Sequence, residues 1–256
     1  MTLENIDIIY ENNDFLAINK PAGWTVHKPK VAGVDKVEGL FVTDWLLERY
    51  PEIKTVGDLP TQADEPHLRP GIVHRLDKDT SGVLLIAKNQ STFEYLKHLF
   101  QTGQVRKTYL TLVYGKLLGK GKIDKPIGLK PGTIKRSTNA KDMKMLKDAV
   151  TEYRVLKVLR GGEYTLLEVH PMTGKTHQIR VHLASIGHPV VGDQLYGKRD
   201  QELNIKRQFL HAQGIEFPLK DDGRIKIEAD LPYDLEEILQ SLAVSEEPRI
   251  DSIEYD

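Results

Sequence analysis

The sequence predicts an α+β fold with a mixed, largely antiparallel central sheet that is flanked by helices and loops. The chain has 256 residues, of which 39% are hydrophobic and 29% are charged, a balance typical of globular proteins. Segments with the alternation of strands outnumber segments with helical spacing, and the pattern favours antiparallel neighbours. A chain of this length can bury a large core, so we expect one large domain or two tightly joined lobes.

The first half of the chain predicts a hairpin followed by two helices. Residues 6–10 and 15–19 flank a polar turn and predict two paired strands. Apolar side chains at helical spacing predict a helix over residues 40–50. Further on, Ser91 and Glu94 have the spacing of a capping box, so we expect Ser91 to begin the second helix.

The second half predicts further strands and two more helices. The expected strands cover residues 105–115, 151–159, 163–170 and 225–228, and the expected helices cover residues 176–186 and 233–242. Residues 116–147 are rich in glycine and lysine and predict a long exposed excursion, while residues 52–70 predict a loop. We expect one folded domain over residues 1–244 and an acidic C-terminal tail over residues 245–256.

Composition excludes several classes of protein. The chain has no cysteine, which excludes disulfides, thiolate metal sites and cysteine nucleophiles. No run approaches the roughly 20 apolar residues of a membrane-spanning helix, and the N-terminus has no basic start followed by an apolar stretch. We therefore expect a cytoplasmic location and no membrane partner.

Charge is distributed unevenly along the chain, although the net charge is only −1. Residues 116–148 contain ten Lys or Arg against three Asp, whereas residues 228–256 contain ten Asp or Glu against one Arg. This separation permits a basic face that binds phosphates beside an acidic region that repels them.

The most informative stretch is residues 74–88, in which a dense cluster of ionisable side chains runs directly into a hydrophobic strand. A strand that is packed in the core is rigid, so a carboxylate just before its first residue can be held in one geometry. On chemistry alone, Asp77 and Asp79 are both candidates for a catalytic carboxylate.

The same stretch resembles the active-site motif of the RluA family of pseudouridine synthases, H-R-L-D-x-x-T-S-G-[LV], at every fixed position. The resemblance implies an enzyme that isomerises uridine to pseudouridine in structured RNA without a cofactor or a metal. It selects Asp77 as the nucleophile. It also implies that Arg75 helps to extrude the target nucleotide from its stack, as an enzyme acting on a base within folded RNA requires.

Residues 174–182 are similar to the family's third motif, G-R-x-H-Q-[IL]-R-x-H, with Lys175 in place of the usual arginine. The resemblance implies that Arg180 forms an ion pair with the nucleophilic aspartate and keeps it charged in a closed pocket. His177 and His182 are not followed by a carboxylate in a metalloprotease pattern, so we expect a hydrogen-bonding scaffold rather than a zinc site. His177 is also an expected RNA contact.

Residues 106–115 are similar to the family's strand motif K-x-Y-x-A-x-V-x-G, with Thr111 in place of alanine. The resemblance implies a catalytic role for Tyr109, whose ring can stack on a flipped uracil and whose oxygen can help to remove the C5 proton. Lys107 of the same motif is an expected RNA contact.

Residues 20–27 resemble the first motif, K-P-x-G-x-x-V-H, to which we assign an architectural role beneath the site. The resemblance extends over residues 13–219. Many relatives carry an N-terminal S4-like RNA-binding domain, but only 19 residues precede Lys20, so we expect residues 1–244 to form a catalytic domain alone.

The expected partner is a structured RNA, either ribosomal or transfer RNA, which a monomer recognises through its groove, residues 116–147 and residues 52–70. Two other functions stay open at this point. A uracil N-glycosidase would need a second carboxylate to activate water, for which Asp79 is the candidate. A non-catalytic RNA-binding or assembly factor would need none of the catalytic side chains.

Overall fold

The computed structural model describes residues 6–28, 38–58, 69–139, 143–197, 202–221 and 223–244. The strands are β1 (Asp7–Glu11), β2 (Phe15–Lys20), β3 (Ser81–Ala87), β4 (Arg106–Tyr114), β5 (Lys120–Asp124), β6 (Ile127–Leu129), β7 (Arg136–Ser137), β8 (Lys144–Lys147), β9 (Val150–Leu159), β10 (Tyr164–Pro171), β11 (Leu210–Pro218) and β12 (Arg224–Glu228). The α-helices are α1 (Val42–Arg49), α2 (Gln90–Gln101), α3 (Gln178–Ser185) and α4 (Tyr233–Val244). Short 3-10 helices lie at Pro51–Thr55 and Arg160–Gly162.

The central sheet has nine strands in the order β1-β2-β3-β11-β4-β10-β9-β5, with β12 paired to β11. All of its pairings are antiparallel except that of β11 with β3, which is parallel. The predicted α+β class with a mixed, largely antiparallel sheet is therefore confirmed. Strand β11, which lies at the centre of the sheet, was not predicted.

Two buried apolar clusters support the sheet. The first is built mainly from β2, β3, α1 and α2, and the second mainly from β4, β10, α3 and α4. The aromatic ring of Tyr109 in β4 packs against both clusters, which places this side chain where the two halves of the core meet.

The parallel junction of β3 and β11 is the tightest point of the sheet. Gly82 has φ +115°, and a Cβ atom added there would lie 2.2 Å from the carbonyl oxygen of Ala212. No other residue type fits such an approach of two backbones, since real Cβ atoms need more than 3 Å. The junction thereby fixes the start of β3, into which residues 74–80 lead.

Three local predictions were wrong. Helix α2 begins at Gln90, one residue before the expected start at Ser91. Its N-cap is Asn89, whose Oδ1 atom accepts the hydrogen bond from Thr92 N at 2.9 Å. Helix α3 begins at Gln178, because His177 has a left-handed backbone (φ 58°) that is incompatible with a helix.

The third wrong prediction concerns residues 116–147, which are not simply an exposed excursion. Strand β5 forms the edge of the central sheet, and β6, β7 and β8 form a separate three-stranded sheet that we call the small sheet. The predicted acidic tail over residues 245–256 and most of the predicted loop over residues 52–70 lie outside the described residues.

Candidate active site

A cleft of roughly 740 Å³ opens between the two halves of the core. Its lining comes from the loop before β3, from the end of α2, from β4 and from the segment that leads into α3. The side chains predicted to be functional line this cleft together: Arg75, Asp77, Lys107, Tyr109, His177 and Arg180. These residues come from three regions that are distant in sequence, so the fold assembles the site.

Asp77 and Arg180 are in direct contact at the floor of the cleft. Arg180 Nη1 donates to Asp77 Oδ2 at 2.9 Å, although the two residues are 103 positions apart. The Asp77 side chain is 17% exposed and that of Arg180 is 7% exposed. The two side chains thus form an ion pair in a largely buried place, where the guanidinium of Arg180 lies directly beside the carboxylate.

Arg180 is held in turn by a second carboxylate that belongs to Asp193. Arg180 Nε donates to Asp193 Oδ2 at 2.6 Å and Nη2 donates to Oδ1 at 2.8 Å, which is a bidentate pair. Burial opposes the charged form of Arg180, but hydrogen bonds and charge from Asp193 and Asp77 outweigh it and raise the pKa of the guanidinium. The fork is thus fixed on Asp193 and leaves one nitrogen for Asp77.

Asp193 itself is fully buried and saturated with donors. Besides Arg180, the backbone N–H groups of Leu195 and Tyr196 donate to its Oδ1 at 2.8 and 3.1 Å. Burial alone would raise the pKa of Asp193, but the hydrogen bonds and charge of Arg180 lower it below its usual value. This carboxylate is therefore charged and positions the arginine.

The loop that carries Asp77 is braced from below by the first motif. Lys20 is fully buried, and its Nζ donates to the carbonyl oxygens of Pro21, Trp24 and Lys78 at 2.8, 2.9 and 3.0 Å. The backbone N–H of Gly23 also donates to Lys78 O, at 3.0 Å. These contacts give residues 20–24 the architectural position that was predicted for them.

A second brace comes from the C-terminal part of the chain. Arg207 forms a bidentate pair with Asp234 in the first turn of α4, and its Nη1 donates to Asp79 O at 3.1 Å. Gln208 Nε2 donates to the hydroxyl of Thr80 at 3.2 Å. The Asp77 loop is therefore held on both sides by groups that the catalytic chemistry does not use.

Tyr109 lies in β4 on the wall of the cleft. Burial, together with the negative charge of Asp77, raises the pKa of its phenol well above the usual value. The phenol is consequently neutral at physiological pH. A neutral phenol can stack on a base and donate a hydrogen bond, but it is a weak proton acceptor.

His74 is a scaffold residue rather than an acid or base. Its Nε2 accepts the backbone N–H of Leu85 at 2.9 Å, and its ring stacks on Phe100 with centroids 4.6 Å apart. Burial and the charge of Lys107 lower the pKa of His74 to about 3. The imidazole is therefore neutral and ties residue 74 to β3.

His177 lies on the opposite side of Asp77 from Arg180 Nη1. Its Nε2 is 4.0 Å from Asp77 Oδ1, and its Nδ1 is 2.9 Å from the hydroxyl of Tyr196. Burial lowers the pKa of His177, although the charge of Asp77 partly offsets this. The ring is neutral at physiological pH, with one nitrogen towards the cleft.

The two predicted RNA-contacting cations lie at the rim and wall of the cleft. Arg75 is exposed. Lys107 is half-buried, and its Nζ donates to Thr173 O at 3.1 Å. Burial and the nearby charge of Lys175 lower the pKa of Lys107 to about 8, so an approaching phosphate would stabilise its charged form.

His182 is buried on the inner face of α3 and does not line the cleft. Its Nδ1 lies 2.8 Å from the hydroxyl of Thr151, and its Nε2 lies 2.9 Å from Lys125 O. Both ring nitrogens thus have a partner, as a scaffold residue requires. Within the described ranges, no three His, Asp or Glu side chains are grouped so that they could hold a metal ion.

Sequence reasoning missed Asp193, Tyr196 and the full role of Lys20. Asp193 and Tyr196 follow Gly192 in a turn-rich segment that has no helical or strand periodicity. The available signal was an Asp that directly follows the apolar run Val190-Val191-Gly192. For Lys20, the signal was a lysine that directly continues the apolar strand β2.

A family model of RNA pseudouridylate synthases matches residues 14–185, which include Asp77, Tyr109 and Arg180. The chain belongs to this family. The membership predicted from the three motifs is confirmed.

Several bacterial relatives of this family member are similar along most of its length. An uncharacterised RNA pseudouridine synthase of Chloroflexus aurantiacus is 42% identical over 88% of this chain and 65% of the relative. Ribosomal large subunit pseudouridine synthase D of Borreliella burgdorferi is 37% identical over 89% of this chain and 65% of the relative. The protein of the same name from Yersinia pestis is 35% identical over 98% of this chain and 74% of the relative. The chain thus spans 65% of the length of the first two relatives.

Two solved human structures have the same fold as this family member. Human RNA pseudouridylate synthase domain containing 1 is 26% identical with a TM-score of 0.68, covering 95% of this chain and 96% of the human chain. Human RNA pseudouridylate synthase domain containing 4 is 24% identical with a TM-score of 0.69, covering 93% of each chain. In the described ranges, no helix is long and apolar enough to cross a membrane.

Proposed function

We propose that this protein isomerises specific uridines to pseudouridine in RNA, with Asp77 as the nucleophile. The observation that carries the proposal is the Asp77 carboxylate in the cleft. Its Oδ2 is held by Arg180 at 2.9 Å, while its Oδ1 makes no hydrogen bond within the described part of the chain. A charged, oriented carboxylate with one unengaged oxygen at the floor of a cleft is suited to nucleophilic attack.

The reaction needs a bond exchange and no oxidation or reduction. The bond between uracil N1 and ribose C1′ breaks, the base turns, and a bond between C5 and C1′ forms. C5 loses a proton and N1 gains one, so atoms and electrons balance within the nucleotide and water. Asp77 supports this exchange by adding to the sugar or the base, and Arg180 orients the carboxylate through the hydrogen bond to Oδ2.

Tyr109 is proposed to pack against the turning uracil. The ring lies on the cleft wall between the two halves of the core, and the raised pKa of its phenol makes it a hydrogen-bond donor. The phenolate needed for direct removal of the C5 proton is unfavourable in the free enzyme. We therefore assign Tyr109 first to holding the base and second to relaying the proton.

The cations around the cleft are proposed to bind RNA. Arg75 at the rim can occupy the space that a flipped nucleotide leaves, and Lys107 lies on the wall. The neutral ring of His177 lines the same wall and can contact RNA through a hydrogen bond. Exposed Lys130, Lys135 and Lys147 on or beside the small sheet extend the positive surface beyond the cleft. RNA binding should therefore weaken steeply with salt.

We propose large-subunit ribosomal RNA as the first substrate to test, ahead of transfer RNA. Two of the relatives described above are named ribosomal large subunit pseudouridine synthases, and this supports the choice. We further propose that residues 1–244 form one catalytic domain that acts as a monomer in the cytoplasm, where these RNAs are found.

The test uses ribosomal and transfer RNA transcripts that contain uridine with tritium at C5. Forming the C5–C1′ bond releases this tritium to water, and we expect release with wild type but not with Asp77→Asn. Asp79→Asn is the matched control, because Asp79 is in the same loop but does not line the cleft. Tritium release by Asp77→Asn equal to wild type would refute the mechanism.

The same reactions separate the alternatives. Free uracil in the products would indicate an N-glycosidase, and binding of RNA without any tritium release would indicate a non-catalytic RNA-binding protein. The family match favours the synthase over both. Pseudouridine mapping in cells that lack the gene, complemented with wild type or Asp77→Asn, would then identify the modified uridines.

A further inference from the structure

Two hydrogen bonds connect the small sheet to the ring of His177, which lies beside Asp77. The backbone N–H of Arg136 in β7 donates to the hydroxyl oxygen of Tyr196 at 2.8 Å. This hydroxyl lies 2.9 Å from His177 Nδ1, and the other ring nitrogen of His177 lies 4.0 Å from Asp77 Oδ1. His177 Nε2 therefore lies next to Oδ1, the oxygen of Asp77 that Arg180 does not bind.

The hydrogen bond from the backbone of Arg136 limits how Tyr196 can bond to His177. A backbone amide can only donate, so the Tyr196 oxygen accepts from Arg136. The Tyr196 hydroxyl still has its own proton to donate, and His177 Nδ1 lies 2.9 Å from its oxygen as a possible acceptor. A neutral imidazole with an accepting Nδ1 carries its proton on Nε2, so the N–H group of His177 is directed towards the cleft.

The backbone conformation of His177 is unfavourable for a residue with a side chain, which suggests that the side chain has a role. His177 has φ 58° and ψ 19°, a left-handed conformation that glycine adopts at much lower cost. A strained non-glycine residue at the edge of a site is a reason to suspect function. The ring is also fixed from the side, because it packs edge to face on Tyr196 with centroids 5.7 Å apart.

The Nε2–H group of His177 is not used by Asp77 in the free protein. A separation of 4.0 Å is too long for a hydrogen bond. The donor and the unengaged oxygen of Asp77 instead face the same space, the one into which the reacting nucleotide must enter. An atom of the nucleotide next to the bond that breaks would lie within reach of both.

We propose that His177 Nε2–H donates a hydrogen bond to oxygen O2 of the reacting uracil, and that Tyr196 is the positioning residue that fixes this tautomer. The inference rests on the proposed function and assigns a chemical role within it. When the N1–C1′ bond breaks, its electron pair stays on uracil and spreads onto O2, the oxygen nearer to C1′. A preorganised donor at O2 stabilises this charge most strongly in the transition state.

Two substitutions at His177 distinguish this role from simple packing. The side-chain amide of glutamine can place an N–H near the position of Nε2, whereas that of asparagine reaches only the position of Nδ1. Single-turnover tritium release should fall by about 100-fold in His177→Asn and by much less in His177→Gln. RNA binding should change far less than turnover in both, because the hydrogen bond strengthens mainly in the transition state.

Tyr196→Phe tests the positioning residue. It removes the hydroxyl, so the His177 proton can move to Nδ1, and we expect about 10-fold slower turnover, close to the loss of one ordinary hydrogen bond. Tyr50→Phe is the matched control, because the Tyr50 hydroxyl bonds to Glu11 and does not line the cleft. Thermal unfolding should show that all variants are folded.

Two further measurements identify the atom and the tautomer. RNA with 2-thiouridine at the target, whose sulfur is a poorer acceptor, should slow wild type but not slow His177→Asn further. Nitrogen NMR of the free protein should show the His177 proton on Nε2 in wild type and on both nitrogens in Tyr196→Phe.

The outcomes distinguish a failure of the proposed function from a failure of the role proposed for His177. If wild type releases no tritium from any of these RNAs, the proposed function falls and this inference with it. If wild type is active but His177→Asn equals His177→Gln, or if 2-thiouridine slows both proteins equally, only the role of His177 is overturned.

Discussion

The two carboxylates that share Arg180 have opposite surroundings. Asp193 is fully buried, and each of its oxygens accepts at least one hydrogen bond. Asp77 is 17% exposed and faces the cleft, with a hydrogen bond from Arg180 to Oδ2 alone among the side-chain donors described. Two aspartates that bind the same arginine thus have chemically different environments.

The difference shows how a single guanidinium can serve both stability and reactivity. Asp193 neutralises and orients Arg180, so that the arginine reaches Asp77 with fixed geometry and without searching for a partner. Asp77 keeps an unengaged oxygen because its partner is already committed elsewhere. We expect substitutions on the Asp193 side to affect folding, and substitutions on the Asp77 side to affect the reaction.

Asp77→Asn should give the largest effect and leave the fold intact. The amide keeps the size of the side chain but is not nucleophilic, so we expect turnover to fall by at least about 10⁴-fold, as for the removal of other catalytic side chains. Tritium release from labelled RNA measures this. The midpoint of urea unfolding should hardly move, and a large decrease there would contradict the division between the two carboxylates.

Asp193→Ala should mainly destabilise the protein. It leaves the buried Arg180 without its bidentate partner, so we expect the free energy of unfolding to fall by about 3–5 kcal/mol. Urea unfolding measures this loss, and Asp193→Asn, which keeps the shape and the acceptor oxygen, should lose less. An unchanged unfolding midpoint in Asp193→Ala would show that Arg180 does not depend on this carboxylate.

Arg180→Lys should separate charge from geometry. A lysine keeps the positive charge, but one ammonium group cannot span both carboxylates as the planar fork does. We expect turnover to fall by about 100-fold, which is the usual cost of a displacement near 1 Å at a reacting group. Measured turnover equal to wild type would mean that charge alone is sufficient.

Lys20 should give an effect that is visible only as a pH dependence of stability. Burial lowers the pKa of Lys20 to about 7 from its usual value of 10.5. Between these values the unfolded chain holds a proton that the folded chain has released, so the free energy of unfolding should rise with pH in that window. Urea unfolding of wild type and Lys20→Met at several pH values measures this contribution.

The rise should be absent from Lys20→Met and retained in Lys226→Met. Lys226 is an exposed lysine of β12 and serves as the matched control. Parallel pH curves for wild type and Lys20→Met would mean that Lys20 remains protonated in the folded protein, held by the three carbonyl oxygens around it.

The meeting of Asp77 and Arg180 could be predicted because each lies in a motif with fixed neighbours. Asp193 could not be predicted in the same way. Its partner is 13 residues away across a turn-rich segment, and only the folded backbone shows that this segment passes behind the guanidinium. Sequence patterns report periodic structure, and the loop that holds Asp193 has none.

The fold shows the same limit. The hairpin of β1 and β2 was predicted because its pairing is local. Strand β11 was missed although β12 pairs with it locally, because its two neighbours inside the sheet, β3 and β4, are distant in sequence. Its polar and small residues, such as His211 and Gly214, also break the alternation that marks a strand. The small sheet was missed because β6 and β7 are only three and two residues long.

The separation of 103 positions between Asp77 and Arg180 has a consequence for the protein as it is synthesised. A chain emerging from the ribosome exposes Asp77 first, and Arg180 follows only 103 positions later, with Asp193 a further 13 positions on. Until then the carboxylate lacks both its cleft and its partner. Under the proposed mechanism, a nascent chain is therefore inactive on RNA until both of these residues have been translated and the cleft has folded.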